Sequence, residues 1–139
     1  MNVLSLIQPW ATLWVCGIKG NETRSWATKY RGRLLVHASA SKPAYARDSY
    51  EIIIETGNEV LCGHSLELLN KLPKFDELPR GGIVGVVNLI DVLKTGEVWP
   101  NEMEFACGNY APGRFAWKAD EGGELDFFPC KGKLGIWQL

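Results

Sequence analysis

The sequence predicts an α+β fold in which two to three helices cover the opening of a partly closed β-barrel. Apolar residues recur at helical spacing mainly in the first half of the chain, whereas β-branched strand segments dominate the second half. The 15 glycines supply turns between strands, and the six tryptophans are large packing anchors. Since 46% of the 139 residues are hydrophobic, residues 1–139 are expected to form a single domain with one core.

The first half is expected to contain short strands and three helices. A strand over 4–6 leads into a helix that begins at Pro9, where the missing N–H would have no helical partner. A strand over 33–39 follows, with its side chains alternating between two faces. A second helix is predicted to end at Gly57, and a third is predicted over 65–72.

The second half is expected to be mostly strand. Residues 81–93 are a nearly continuous β-branched run, which predicts a long central strand covered on both sides, with Gly85 allowing it to bend. Three further strands are predicted over 114–118, 125–130 and 134–138, with glycine turns between them.

The charge balance disfavours some classes of partner. Fifteen basic and 16 acidic residues leave a formal charge of −1, so no overall positive field would draw the chain to nucleic acid or to an anionic membrane. A long RNA footprint needs many phosphate contacts and is therefore disfavoured. A pocket that takes a single base is compatible with this composition.

Cysteine and hydropathy patterns predict the cellular setting. The four cysteines form no C-x-x-C pair, so we expect neither zinc nor disulfides, and no other metal or cofactor. No apolar run approaches the length of about 18 residues that a membrane span needs, and the N-terminus lacks the pattern of a signal peptide. We therefore predict a cytoplasmic protein with no membrane partner, and the sequence leaves its oligomeric state open.

Two motifs near the N-terminus carry the most information. Residues 4–11 read LSLIQPWA and match an L-S-x-x-Q-P-[WY] opening, and residues 17–26 read GIKGNETRSW and match a G-x-K-x-x-E-x-R turn. On these motifs the chain resembles the ASCH family of the PUA-like superfamily, which is named for homology to a transcriptional coactivator. The resemblance implies a PUA-like barrel that recognises RNA, a nucleotide or a nucleoside. It extends along the chain through residues 31–39, 82–85, 114–117 and 131–137.

The turn and the helix before it bring together groups that can recognise a nucleotide. Lys19 supplies a point charge, Glu22 an acceptor for an exocyclic amine, and Arg24 a bidentate donor. In an extended segment Glu22, Arg24 and Trp26 share one face. Trp10 and Trp26 are the predicted stacking surfaces. In an arbitrary globular protein Glu22 and Arg24 would more often form a surface ion pair, and the resemblance is what favours a binding site.

Four further residues are predicted to bind the ligand in the same groove. His37 and Ser39 point to one side at the end of a strand, although such a pair without an acidic or cysteine partner is more often structural. Tyr110 and Arg114 are carried to the rim by a turn-rich loop, where a solvated Arg114 is an equal alternative.

A second basic feature lies near the C-terminus. Lys131 and Lys133 flank Gly132 in a tight turn. The turn fits a solvated hairpin and a phosphate contact equally well.

A hydrolase is the second class of function that the resemblance implies. Some ASCH-like proteins are amidohydrolases that act on N4-acetylcytidine with a Lys, a Thr nucleophile and a distant Glu, and others are described as ribonucleases. Lys19 matches the Lys, but Glu22 occupies the Thr position, and the hydroxyl of the adjacent Thr23 points to the opposite face. In a different hydrolysis Glu22 would be the general base, and Lys19 would stabilise developing negative charge.

The leading hypothesis is an RNA- or nucleotide-binding module that holds a base and a phosphate in a charged, aromatic groove. The hydrolase is the first alternative. The second is a protein-interaction module of a coactivator-like assembly, which would need an exposed apolar patch. The segment 58–74 could form a lid over the groove.

Overall fold

A six-stranded sheet and four α-helices form the molecule, and this computed structural model describes all residues, 1–139. The strands are β1 (Asn2–Leu6), β2 (Asn21–Arg24), β3 (Gly32–Ala38), β4 (Gly82–Lys94), β5 (Phe115–Pro129) and β6 (Ile136–Gln138). The helices are α1 (Trp10–Val15), α2 (Ala44–Val60), α3 (Gly63–Asn70) and α4 (Glu102–Cys107), and short 3-10 turns cover Phe75–Glu77 and Thr95–Glu97.

The sheet has the strand order β2-β5-β4-β3-β1-β6. β1 runs parallel to β3, and every other neighbouring pair is antiparallel. Because β1 pairs with β6, the two ends of the chain meet, and the Leu139 N–H donates to the Met1 carbonyl at 3.1 Å. This arrangement confirms the α+β prediction and agrees with a partly closed PUA-like barrel.

The main core lies between the sheet and α1. On β3, Leu34 and Val36 face this core, whereas Leu35 belongs to a cluster on the other side, so the predicted alternation is confirmed. The twelve buried side chains of the main core are Leu4, Leu6, Ala11, Trp14, Val15, Leu34, Val36, Ala38, Val84, Val87, Leu89 and Trp117.

The helices α2, α3 and α4 pack on another side of α1, where Leu13 joins a cluster to which all three contribute. The predicted end of the second helix at Gly57 is wrong, because α2 continues to Val60. A Cβ atom at Gly57 would come within 2.5 Å of Leu69 Cδ2 on α3. Glycine therefore permits a close contact between two helices at this position and does not end the helix.

β5 is one strand, whereas the sequence predicts two, over 114–118 and 125–130. Gly122 and Gly123 lie inside the strand and do not form a turn. A Cβ atom at Gly122 would come within 2.7 Å of the Val15 carbonyl oxygen, so β5 passes α1 at a distance that only glycine allows. The pairing with β4 shifts register at three places, and such bulges let a long strand bend.

Helix α4 is absent from the sequence prediction. Its N-cap is Asn101, whose side chain accepts a hydrogen bond from the Glu104 N–H at 2.9 Å. A capping residue three positions before a glutamate is a known signature of a helix start, and it was present in this segment. With α4 the molecule has four α-helices, whereas the sequence predicted two to three.

The four cysteines are free thiols. Cys107 is buried, Cys16 and Cys130 are half-buried, and Cys62 is exposed. No three His, Cys, Asp or Glu side chains lie together as a metal site would require. No helix combines the length and the apolar character that crossing a membrane would take.

Gly85 on β4 is a position where alanine should be strongly destabilising. A Cβ atom there would come within 2.5 Å of the Gly123 carbonyl oxygen and 2.7 Å of Val15 Cγ1, so the backbone would have to move. We expect Gly85→Ala to lower the free energy of unfolding in urea by about 1–3 kcal/mol. Gly96→Ala is the control, since a Cβ at Gly96 meets no atom within 4 Å. Equal losses for the two variants would contradict the prediction.

Candidate functional site

A cavity of about 510 Å³, the first cavity, opens where β1, β2 and the start of α2 meet the loop after α4. Of the residues predicted from the sequence, four line it: Trp10, Glu22, Arg24 and Arg114. No residue of the segment 58–74 is among its lining residues. The other lining residues include Ser5, Ile7, Tyr45, Ser49, Cys107 and Asn109, which were not predicted as site residues.

Three charged side chains meet at the floor of the first cavity: Glu22 and Arg24 line it, and Lys19 lies beneath them. Lys19 is 1% exposed and Glu22 is 8% exposed. One oxygen of the Glu22 carboxylate accepts a hydrogen bond from Lys19 Nζ, and the other accepts from Arg24 Nη1 at 3.1 Å. One carboxylate is thus shared by two cations, and the Glu104 carboxylate, which binds the N–H groups of Gly20 and Asn21, adds a second negative charge nearby.

Lys19 lies beneath the first cavity and does not line it. Its ammonium group is 5.9 Å from the centroid of the Trp14 ring and is bound to Glu22. The structure thus brings Glu22 and Arg24 to the cavity, with Lys19 behind them. Lys19 can therefore act on a ligand only through Glu22.

The turn that carries Lys19 is anchored by Glu104 of α4. Glu104 Oε2 accepts from the Gly20 N–H at 2.6 Å, and Oε1 accepts from the Asn21 N–H at 3.2 Å. The Trp14 Nε1–H donates to the Gly20 carbonyl at 3.1 Å. Glu104 is a positioning residue that sequence reasoning missed, although the capping pattern of α4 would have drawn attention to it.

Gln8 of the first motif is fully buried. Its Oε1 accepts from the Thr12 N–H at 3.0 Å, and its Nε2 donates to Thr12 Oγ1 at 2.7 Å and to the Pro79 carbonyl at 2.9 Å. The side chain therefore ties the start of α1 to the segment before β4. Since Trp10 is the first residue of α1, Gln8 holds Trp10 in place.

Trp10 and Tyr45 form an aromatic wall on one side of the first cavity. Their ring centroids are 6.2 Å apart, and the rings are tilted by 40°. Tyr45 is 58% exposed, and Trp10 is half-buried. Side chains of this kind offer a planar base an aromatic face on which to stack.

Arg114 is held at the rim by the loop before β5. Its Nε donates to the Asn109 carbonyl at 3.1 Å, and its Nη2 donates to the Thr23 carbonyl at 3.3 Å. The Thr23 hydroxyl accepts from the Asn109 N–H at 2.9 Å and so fixes the same loop. Tyr110 lies behind this rim, where its hydroxyl accepts from Asn21 Nδ2 at 3.2 Å and burial raises the pKa of Tyr110 to about 12.

Trp26 lies outside the lining of the first cavity. Its ring meets the Trp117 ring edge to face, with centroids 4.7 Å apart. The Arg24 guanidinium carbon lies 5.7 Å from the centroid of the Trp26 ring. Trp26 therefore supports Arg24, and Tyr45 supplies the second aromatic surface of the cavity.

His37 and Ser39 line a separate cavity of about 820 Å³, the second cavity. His37 is 2% exposed, and its Nε2 lies 2.8 Å from the Cys130 carbonyl oxygen. Because a carbonyl only accepts, Nε2 is the donor. Ser39 Oγ accepts from the Ser41 N–H at 3.1 Å. The two cavities have Ser5 in common, and the structure otherwise separates His37 and Ser39 from the first cavity.

Removing Lys19 should be strongly destabilising, because it leaves the buried Glu22 carboxylate with a single cation. We expect Lys19→Met to lower the free energy of unfolding by about 3–5 kcal/mol in chemical denaturation. Lys118→Met, which changes an exposed lysine on β5, is the control and should have an effect within about 0.5 kcal/mol. A loss below about 1 kcal/mol for Lys19→Met, the range of surface ion pairs, would contradict the prediction.

The Cys107 thiol lines the first cavity but should be unreactive. Burial raises the pKa of Cys107 to about 12, and the thiolate is the form that reacts with alkylating agents. We expect iodoacetamide at pH 8 to modify the exposed Cys62 in the native protein and to reach Cys107 only after unfolding. Peptide mass spectrometry measures both rates, and equal rates in the native protein would count against the prediction.

Comparisons with known proteins agree with the two motifs. A family model described as the ASCH domain matches residues 4–121. Activating signal cointegrator 1 of Homo sapiens is 35% identical over 136 residues, and the Mus musculus protein of the same name is 32% identical over 136 residues. Each alignment covers 98% of this chain but only 22% of the relative, about a fifth of its length. The chain belongs to the ASCH domain family.

Proposed function

We propose that this protein is an RNA- or nucleotide-recognition module that binds a base and its phosphate in the first cavity. The observation that carries the proposal is the Glu22 carboxylate, which is held between two cations at the floor of a cavity with an aromatic wall. Fixed acceptors and donors can read the polar edge of a base, while the wall stacks on its face. Membership of the ASCH domain family supports the same class of ligand.

Glu22 and Arg24 would read the edge of the base. Each Glu22 oxygen accepts one hydrogen bond within the protein and so keeps a lone pair for an exocyclic amine. Arg24 uses Nη1 for Glu22 and for the Ser5 carbonyl, which leaves Nε and Nη2 to donate to the base. An amine beside an acceptor, as on adenine and cytosine, matches this pair of groups.

Arg114 would contact the phosphate at the rim. Two of its nitrogens bind backbone carbonyls and fix the guanidinium, while Nη1 is free to bind an anion. Arg114 takes part in no ion pair, so it supplies an uncompensated positive charge at the rim. Local charge of this kind allows a chain with a formal charge of −1 to bind an anionic ligand.

Two observations favour binding over hydrolysis. Glu22 is already bound to two cations, whereas a general base has to take a proton from the attacking group. Neither the Thr23 hydroxyl, which accepts from Asn109, nor the Cys107 thiol, whose pKa burial raises to about 12, is activated as a nucleophile. Hydrolysis is therefore the second hypothesis.

The names of the curated relatives describe a cointegrator of an activating signal. This chain corresponds to 22% of each relative, so most of each relative lies outside the aligned region. A coactivator-like interaction role therefore stays a prediction for this chain.

The proposal is tested with a pool of modified and unmodified nucleosides, nucleotides and short RNAs. Retained ligands and reaction products are both identified by mass spectrometry. Retention without conversion supports recognition. If the parent protein forms a product and the Glu22→Gln variant does not, the protein is instead a hydrolase.

Arg24→Ala should weaken binding of the retained ligand by at least about tenfold, because hydrogen bonds to charged groups contribute about 1.5–3 kcal/mol. Isothermal titration calorimetry measures this change. Arg33→Ala, which removes an exposed arginine on β3, is the control and should bind as the parent does. If Arg24→Ala binds every ligand as tightly as the parent, the recognition proposal is wrong.

A further inference from the structure

We propose that the second cavity binds a phosphate group of the nucleic-acid strand whose base occupies the first cavity. The inference rests on the proposed function and extends it, since it makes a single strand the ligand and adds a second subsite. Three observations support it. The second cavity is lined by two lysines, the N–H groups of residues 131–134 have no backbone acceptor, and Ser5 lines both cavities.

The second cavity is positively charged. Lys131 and Lys133 line it, and no aspartate or glutamate is among its lining residues. Neither lysine takes part in an ion pair. In a chain with 16 acidic residues, two unpaired lysines in one cavity make a local site for an anion.

The turn between β5 and β6 adds backbone donors to this charge. No backbone carbonyl accepts a hydrogen bond from the N–H groups of residues 131–134. By contrast, the preceding Cys130 N–H donates to the Gly81 carbonyl at 3.1 Å. These exposed N–H groups are therefore available to donate to a phosphate that the two ammonium groups attract.

The backbone at Gly132 packs closely against Ser5 and His37, which line the second cavity. A Cβ atom there would come within 2.6 Å of Ser5 Oγ and 2.8 Å of His37 Nδ1. His37 Nδ1 is itself buried and has no hydrogen-bond partner, since Nε2 is the nitrogen that donates to Cys130. With the hydrogen on Nε2, Nδ1 is an acceptor, so it does not donate to a phosphate directly. A water molecule that donates one hydrogen to Nδ1 has its second hydrogen for a phosphate oxygen.

Ser5 joins the two cavities. Its carbonyl accepts from Arg24 Nη1 at 3.4 Å beside the first cavity, and its hydroxyl accepts from Trp137 Nε1 at 3.1 Å. The hydroxyl hydrogen remains free to donate. A free nucleoside fits within one cavity, whereas a strand that crosses Ser5 can place a neighbouring phosphate beside the two lysines.

The first test uses inorganic phosphate and amide chemical shifts, so it does not depend on base recognition. Phosphate should shift the amides of residues 131–134 in a saturable manner. Lys131→Gln/Lys133→Gln keeps much of the aliphatic stems and should lose this response. The matched control Lys71→Gln/Lys74→Gln removes two exposed lysines elsewhere and should keep it. Linear shifts, or equal shifts in both variants, would overturn the second subsite.

The second test compares a nucleoside monophosphate with a dinucleotide and a hexanucleotide of the base that the first cavity retains. The parent should bind the hexanucleotide at least about tenfold more tightly than the monophosphate. Lys131→Gln/Lys133→Gln should lose this gain and bind the nucleoside normally. For this variant the plot of log K against log salt should be less steep by about 1.4, the value for two single-strand phosphate contacts.

The outcomes separate the two proposals. If the double variant binds the hexanucleotide with the parent's affinity and salt slope, the strand path is wrong and the proposed function stands. If the parent binds no nucleoside and no strand but phosphate still shifts the turn amides, the proposed function is wrong. The second cavity would then be a site for free phosphate, and the strand proposal would be overturned.

Discussion

The Glu22 carboxylate, buried between Lys19 and Arg24, is the interaction on which the rest of the site depends. A buried charge without its partners is strongly unfavourable, so the elements that carry these groups have to be held closely. Glu104 binds the turn that carries Lys19, and Gln8 fixes the helix that carries the aromatic wall. The geometry of the first cavity therefore depends on side chains that do not line it.

The spacing of the G-x-K-x-x-E-x-R motif follows from this geometry. Glu22 and Arg24 are two residues apart on β2, so they share a face and both reach the first cavity. Lys19 precedes the strand in a turn, which lets its side chain approach Glu22 from beneath. One cation of the motif therefore holds the carboxylate from beneath, and the other lies beside it in the lining of the first cavity.

The sequence predicted the features that follow from the spacing of neighbouring residues in a strand. It missed the contacts between residues that are far apart in the chain. The alternation of β3 and the grouping of Glu22 with Arg24 follow from strand geometry alone. Tyr45 and Glu104 reach the site because α2 and α4 pack against α1. The Asn101–Glu104 capping pattern marks where α4 begins, but no local spacing predicts how the helices pack. His37 was predicted in the same groove, but it lies in the second cavity, beside the Trp137 ring.

The pairing of β1 with β6 has a consequence for how the domain would sit in a longer polypeptide. Met1 and Leu139 lie side by side, so segments attached to them would leave from the same point on the surface. The domain would then be joined to the rest of the polypeptide at one point of its surface. It could turn to meet a ligand without changing the distance between the parts on either side of it.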